Sequence, residues 1–163
     1  MKTLYLLRHA KSSWAQPGCK DIDRPLNQRG LRDAPVMAQR LLDSGAGLDL
    51  VVSSPALRTR MTAEIVSKAF QLRPEQLRFE PRVYLSGARH LLQLVQQFDE
   101  TANAIMLIGH NPALTDFANS LANLAIDNIP TCGLLTLSLA GEHWALADFG
   151  EARMIAFDTP GDE

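Results

Sequence analysis

The sequence lacks the features that mark several large classes of protein. It has two cysteines, Cys19 and Cys132, which are too few for a disulfide framework, so we expect free thiols. No apolar run approaches the ~20 residues that a membrane span needs, and the start of the chain lacks the layout of a signal peptide. These absences predict a cytoplasmic protein that does not enter a membrane.

The chain also lacks an excess of positive charge. Its 16 Lys and Arg stand against 18 Asp and Glu, which gives a net charge of -2 at pH 7. Because a protein that binds nucleic acid or an anionic membrane is usually basic, we predict neither partner. Any attraction for an anion must come from a local group of cations.

Metal and cofactor patterns are missing as well. The four histidines are scattered without the paired spacing of a metal site, so we predict no metal. His90 and His143 match no catalytic pattern and are predicted to be structural or surface groups. Gly45-Ala46-Gly47 lacks a third glycine and precedes a predicted strand, so it is not a dinucleotide fingerprint. We therefore predict no cofactor.

The sequence does contain an alternation of short apolar runs and helical periodicity, which predict buried strands and amphipathic helices. The predicted strands lie at 4–7, 48–52, 104–108, 134–139, 143–149 and 152–157, with a further short strand within 77–85. The predicted helices lie at about 27–44, 56–70, 86–98 and 111–124. This alternation predicts one α/β domain over residues 1–163. It is expected to be a three-layer α/β/α sandwich with a mostly parallel central sheet and an antiparallel C-terminal part.

Side chains that cap helices mark where the predicted helices begin. Asn27, Ser54 and Ser86 are predicted as N-caps of the first three helices. Pro35 lies inside the periodic pattern of the first helix, where it removes a backbone donor. We expect it to kink that helix or to mark its true first turn.

Three predicted strands end in cationic or potentially cationic side chains. The first ends in Arg8-His9, the second leads into Ser53-Ser54-Pro55 followed by Arg58, and the third leads into Gly109-His110. Arg-His alone is more simply explained as a strand end with a solvated charge. Since ligands of open α/β sheets bind beyond the carboxyl ends of strands, the three together predict an anion site there.

These motifs resemble the histidine phosphatase superfamily, also called phosphoglycerate-mutase-like. Its pattern is a strand with Arg-His-Gly, then Ser-Ser-Pro with an Arg soon after, then Gly-His; Ala10 stands here where the commoner pattern has Gly. The Arg-His-Ala-Lys-Ser-Ser-Trp form, followed by Asp23-Arg24-Pro25-Leu26-Asn27 and Arg29-Gly30, is similar to the SixA-type phosphohistidine phosphatases. The resemblance runs from Leu4 to Phe157 and implies the fold of that superfamily.

Phosphoryl chemistry suggests a role for each of these side chains. Arg8 and Arg58 suit bidentate binding of oxyanions. His110, just before a predicted helix, is predicted as a third phosphate ligand, and its neighbour Asn111 as a further substrate-binding residue. His9 is predicted as the nucleophile, which becomes a phosphohistidine that water hydrolyses. The resemblance implies the same roles for the two arginines and two histidines.

The proton donor is the open point of the sequence. Many members of the superfamily place a Glu after the third strand, and Tyr84 falls near that position here. Tyr84 and Glu80 are possible proton donors, although Glu80 lies several residues early and is more simply a surface charge. Asp23 and Asp21, in the loop after Arg-His, are the other candidates. Imidazole leaves far more easily than an alkoxide, because its reference pKa is ~6.5. A phosphohistidine substrate would therefore tolerate a missing acid.

The sequence predicts a metal-independent phosphatase that forms a phosphohistidine intermediate. The expected substrate is phosphohistidine on a protein, such as a histidine phosphotransfer domain, because the chain has no long insertion that could build a lid. One alternative is a phosphomonoesterase acting on small phosphate esters. Another is a phospho-ligand binding module whose catalysis has lapsed, although the intact His9 argues against it.

Overall fold

The computed structural model describes residues 1–161, and a six-stranded sheet forms its centre. The strands are β1 (Thr3–Arg8), β2 (Leu50–Ser53), β3 (Leu77–Phe79), β4 (Ala104–Gly109), β5 (Leu134–Leu139) and β6 (Ala152–Asp158). They are arranged in the order β3-β2-β4-β1-β5-β6. The first four in this order are parallel, whereas β5 and β6 are antiparallel to their neighbours. This arrangement confirms the predicted sheet.

Two pairs of helices cover the two faces of the sheet. The helices are α1 (Gln28–Asp43), α2 (Leu57–Ala69), α3 (Ala88–Gln96) and α4 (Ala113–Ala122). Alternate residues of a strand point to opposite faces. Leu4 and Leu6 of β1 accordingly pack in the cluster with α3 and α4, whereas Tyr5 and Leu7 pack with α1 and α2. The three-layer sandwich predicted from the sequence is confirmed.

The apolar run of β1 lies in the middle of the sheet, between β4 and β5. Burial on both sides explains why this strand has no polar alternation before Arg8. Its register with β4 pairs Arg8 with Gly109, and β4 in turn pairs Ile108 with Ser53 of β2. The three strands therefore end together, and the motifs that follow them meet at one edge of the sheet.

The predicted strand at 143–149 is wrong. The chain forms a short 3-10 turn there, Trp144–Leu146. The Glu100 carboxylate accepts hydrogen bonds from the backbone N–H groups of Trp144 at 2.9 Å and Ala145 at 3.0 Å, and the Trp144 side chain is fully buried. The apolar composition of this segment thus reflects the buried side chain of Trp144 and not a strand. The short strand predicted within 77–85 is present as Leu77–Phe79, and it ends there because Glu80 and Pro81 begin another turn.

Asn27 caps α1 as predicted, since its side-chain oxygen accepts a hydrogen bond from the Gly30 N–H at 2.9 Å. Pro35 lies inside α1, which runs on to Asp43.

Within residues 1–161 no helix combines the length and hydropathy that a bilayer crossing requires.

Gly30 holds α1 against the loop that follows β1. A Cβ added at Gly30 would collide with the carbonyl oxygen of Lys11, which also accepts a hydrogen bond from the Asn27 N–H. We expect Gly30→Ala to lower the free energy of unfolding by about 1–3 kcal/mol, the usual cost of overpacking, and to lower activity by displacing the loop after His9. Urea unfolding and steady-state kinetics would measure both effects.

Gly47→Ala is the matched control, because a Cβ at Gly47 would meet no atom within 4 Å. Equal stability of the two variants would contradict close packing of α1 on the loop.

Candidate active site

A cleft of about 500 Å³ lies at the edge of the sheet where β1, β2 and β4 end. The predicted site residues Arg8, His9, Arg58, His110 and Asn111 all line it. Arg8 ends β1 and His9 follows it, Arg58 lies in the first turn of α2, and His110 and Asn111 lie in the loop after β4. The structure therefore brings together the five side chains that sequence motifs singled out from distant parts of the chain.

His9 is buried and held in one orientation. Its Nδ1 lies 2.7 Å from the carbonyl oxygen of Ala10, so Nδ1 carries the proton that this bond needs and Nε2 keeps its lone pair. Burial lowers the pKa of His9 to about 3, and nearby His110, Arg58 and Arg8 act in the same direction. His9 is therefore a neutral imidazole at physiological pH, with Nε2 free to act as a nucleophile.

His110 is close to His9, with the two ring centroids 5.3 Å apart. Its Nε2 lies 2.8 Å from the Ser54 hydroxyl. Burial lowers the pKa of His110 to about 4, with the charge of Arg58 adding to the effect. Ser54 is thus a partner of His110 and does not cap α2, which begins at Leu57 after an N-cap at Ala56. The predicted cap at Ser86 is also wrong, because Gly87 is the N-cap of α3.

The two arginines are anchored differently at the base of the cleft. Arg58 is 5% exposed, and its guanidinium donates to the backbone oxygen of Asp21 at 2.7 Å and to its carboxylate at 3.0 Å. Arg8 donates to the carbonyl of Ile129 at 3.0 Å. Burial and the charge of Arg58 lower the pKa of Arg8. Two like charges held this close favour a site that binds an anion.

Unpaired polar atoms cluster in this cleft. Within residues 1–161, five buried side-chain polar atoms have no hydrogen-bond partner, and four of them belong to residues of the cleft. These four are Arg8 Nε, Arg58 Nε, Ser86 Oγ and His110 Nδ1. Since buried polar groups are normally satisfied, such a cluster is typical of a site that binds a polar ligand.

Asn111 has a clear structural task beside His110. Its amide nitrogen donates to the carbonyl of Ile129 and to Asn128 Oδ1, each at 2.8 Å, and its oxygen accepts from the Thr115 hydroxyl at 2.8 Å. These bonds tie the start of α4 to the segment behind Arg8. The amide that the sequence assigns to substrate binding is thus engaged with the protein itself.

Of the four candidate proton donors, Tyr84 and Asp21 line the cleft and Glu80 and Asp23 do not. Glu80 lies in an ion pair with Arg82 at 2.8 Å, and this hydrogen bond lowers its pKa. Asp23 is exposed at the end of the turn Asp21–Asp23. Tyr84 packs edge-on against His110, with ring centroids 5.5 Å apart.

Asp21 links Tyr84 to the arginines. Its carboxylate accepts hydrogen bonds from the Tyr84 hydroxyl at 2.7 Å, from Arg58 at 3.0 Å and from Arg24 at 3.2 Å. The bond from Tyr84, followed by those from the arginines, lowers the pKa of Asp21 to about 2. The same bond raises the pKa of Tyr84. At neutral pH Asp21 is ionised and orients its partners; it holds no proton to donate.

Arg24 is a cleft residue for which the sequence predicted no role. It is 8% exposed, donates to the Ser12 hydroxyl at 2.9 Å and stacks on the Trp14 ring, with 3.5 Å between the guanidinium carbon and the ring centroid. Arg24 stands inside the segment that carries the SixA-like resemblance, and that position was the one available signal. The stacking depends on tertiary contacts between loop residues, which periodicity does not detect.

The depressed pKa values of the two cleft histidines predict an unusual titration. Burial disfavours the charged imidazolium, so His9 and His110 should stay neutral as pH falls through 6.5 and gain protons only near pH 3–4. We expect their imidazole 15N shifts in the free protein to be constant between pH 8 and pH 5. The His9→Ala and His110→Ala spectra would assign the signals, and a midpoint near 6.5 for either residue would contradict burial as the dominant influence.

The sequence and fold were compared with known proteins. A sequence profile of the "histidine phosphatase superfamily (branch 1)" matches residues 4–81. An Agrobacterium tumefaciens protein, provisionally assigned as a SixA phosphohistidine phosphatase, has 30% sequence identity, and its crystal structure superposes with a TM-score of 0.84 over 98% of each chain. An uncharacterised chloroplastic protein of Arabidopsis thaliana is 32% identical over 151 residues, which are 88% of this chain and 69% of the relative.

A protein histidine phosphatase SixA crystallised with tungstate also has this fold. Its TM-score is 0.77 over 97% of each chain, at 20% sequence identity. At that identity the likeness concerns the fold alone. These comparisons agree with the architecture derived above.

Proposed function

Because this chain belongs to the histidine phosphatase superfamily and is a phosphatase by family and fold, we propose that it removes phosphate from phosphohistidine on a protein. The chain acts as one catalytic domain and forms a covalent phosphohistidine at His9 without the help of a metal. The observation that carries the proposal is the state of His9. It is neutral and anchored through Nδ1, and it lies beside two arginines that suit a phosphoryl group.

The chemistry proceeds in two steps. In the first, Nε2 of His9 attacks phosphorus in line, and the new N–P bond forms as the bond to the departing imidazole breaks. The phosphorylated imidazole of the substrate carries a proton from solvent on its other nitrogen before the N–P bond breaks, so that it leaves as neutral imidazole. In the second step, water attacks the phosphoryl group, and its proton leaves as His9 departs and orthophosphate forms. Arg8, Arg58 and His110 stabilise the oxygens of the phosphoryl group in both steps.

The ionisation of the cleft supports phosphohistidine as the substrate. An ester needs an acid to protonate its alkoxide, but Asp21 is held ionised with a pKa of about 2. Tyr84, with its pKa raised, is the remaining candidate from the sequence, and its proton is engaged with Asp21. Imidazole, with a reference pKa of ~6.5, leaves without such help. The cleft is therefore better suited to cleave an N–P bond than an O–P bond.

A paired turnover assay in the presence of EDTA tests the proposal. A histidine phosphotransfer domain phosphorylated on its histidine would be compared with p-nitrophenyl phosphate and a panel of other monoesters. We expect a strong preference for the phosphohistidine protein. Faster hydrolysis of small esters would favour the phosphomonoesterase alternative. Binding of phosphate without turnover of either class, equal in wild type and His9→Ala, would favour a non-catalytic module.

Tyr84→Phe distinguishes a required proton donor from a dispensable one. The substitution removes the hydroxyl that Asp21 accepts from and leaves the ring beside His110. We expect kcat on the phosphohistidine protein to fall less than about fivefold, whereas general acid catalysis is typically worth 10²–10⁴-fold. A loss of about a hundredfold on phosphohistidine would contradict the view that its leaving group needs no acid.

A further inference from the structure

Two large apolar side chains at the cleft are unusually exposed. Leu85 is 87% exposed and Trp14 is 77% exposed, the highest values among the large hydrophobic residues in the described part of the chain. Both line the cleft, from two different loops. Isolated surface hydrophobics are normal, but a concentration of the most exposed ones at one functional site marks a binding surface.

Trp14 is held in place at the rim although it is exposed. One face of its ring stacks on the guanidinium of Arg24, which in turn is bonded to Ser12 and Asp21. The indole is therefore supported from below by a network that continues to Arg58. A supported aromatic ring provides apolar contact area at low entropic cost on binding.

Leu85 is presented by an unfavourable backbone conformation. Its φ is +62°, in the left-handed region that leucine rarely adopts. The residue lies between Tyr84, which faces His110, and the start of α3. An exposed leucine gains nothing from this conformation by burial within its own chain. Such a combination of strain and exposure is typical of residues that act in binding.

We propose that Trp14 and Leu85 form an apolar clamp that grips the substrate protein around its phosphohistidine. This proposal rests on the proposed function. It identifies the surface by which the enzyme would select a protein substrate. The partner presents its phosphohistidine among apolar side chains of a folded surface. These side chains pack on the clamp while the phosphoryl group enters the cleft below.

Charge complementarity supports this division of the cleft. Four cationic residues line it, Arg8, Lys11, Arg24 and Arg58, against two acidic ones, Asp21 and Asp116. The excess of positive charge suits the phosphoryl group, whereas the two apolar residues give no benefit to a phosphate ester without an apolar body. A partner that inserts a phosphoryl group into the cleft and surrounds it with apolar side chains fits both the cationic lining and the apolar clamp.

The test compares one phosphoryl chemistry in two settings. The phosphorylated histidine phosphotransfer domain and free phosphohistidine would each be assayed with wild type, Trp14→Ala and Leu85→Asn. Asparagine tolerates the left-handed conformation, so Leu85→Asn removes apolar character without added strain. Leu146→Asn is the matched control, because Leu146 is 65% exposed and lies away from the cleft.

We expect each clamp variant to raise KM for the phosphoprotein about tenfold or more, as loss of a well-placed interface anchor does, with kcat unchanged. On free phosphohistidine, kcat/KM should change less than about twofold, and Trp14→Phe should restore most of the loss on the phosphoprotein. Equal losses on both substrates, or clamp variants that match Leu146→Asn, would overturn the clamp alone. A wild-type protein that hydrolyses esters but neither form of phosphohistidine would overturn the proposed function and the clamp with it.

Discussion

His9→Ala is expected to abolish turnover and the covalent intermediate together. The variant loses the Nε2 lone pair that we propose attacks phosphorus, and no other imidazole in the cleft is oriented in the same way, since Nε2 of His110 is engaged with Ser54. Loss of a nucleophile that acts as part of a catalytic unit costs on the order of 10⁴–10⁶ in kcat. Rapid-quench labelling with a 32P-phosphohistidine protein would trap an acid-labile phosphoenzyme in wild type and none in the variant.

His90→Ala serves as the control for the loss of a histidine. His90 is exposed on α3 and does not line the cleft, so its variant should match wild type in turnover and labelling. Labelled phosphate that persists in His9→Ala would place the covalent step on another residue and would rule out His9 as the nucleophile.

Arg58→Ala should have the second largest effect. The guanidinium of Arg58 is buried at the base of the cleft and fixed by the backbone and carboxylate of Asp21. A preorganised cation that faces developing negative charge is worth about 10²–10³-fold in kcat. Arg58→Lys should recover only part of this, because an ammonium lacks the planar fork of donors. Steady-state kinetics on the phosphohistidine protein would measure both variants.

Arg60→Ala is the matched control, because it removes a positive charge from α2 at a position outside the cleft. Arg60 lies two residues along the same helix, is exposed and stacks on Phe79, with 4.8 Å between the guanidinium carbon and the ring centroid. We expect kcat/KM to stay near the wild-type value. Similar losses in Arg58→Ala and Arg60→Ala would indicate general electrostatic attraction by the protein surface, in place of direct stabilisation of the phosphoryl group.

The sequence was sufficient for the layers, the sheet and the location of the cleft. Apolar runs such as Leu4–Leu7 are long enough to identify strands, and alternation with periodic helices restricts the topology to a few forms. The positions of Arg8, His9, Arg58 and His110 at one edge follow from parallel strands ending together. These features depend on patterns that persist over many residues, and for this reason they could be predicted.

Features that depend on single tertiary contacts could not be predicted. Ser54 stands before a proline in a favourable capping position. Its hydroxyl accepts a hydrogen bond from the Ala56 N–H at 3.2 Å and also contacts His110, which is 56 residues away in sequence. Trp144 lies in an apolar pattern that is typical of a strand, but its backbone N–H donates to the Glu100 carboxylate and the chain forms a turn there. In both cases a polar partner far away in sequence takes part, and one sequence offers no signal for such a partner.

The central place of β1 determines when the protein can become active during folding. Thr3 pairs with Ala104 on one side and with Ser138 on the other, so β1 must close loops of roughly 100 residues or more before it gains either neighbour. Helices α1 and α2 can form early from local interactions, but the loop that carries His9 has no support until β4 and β5 have docked. In a partly folded chain the apolar strand β1 is therefore unpaired, and the phosphate site has not yet formed. Binding of an oxyanion would stabilise only the completed fold, because only that fold contains the phosphate site.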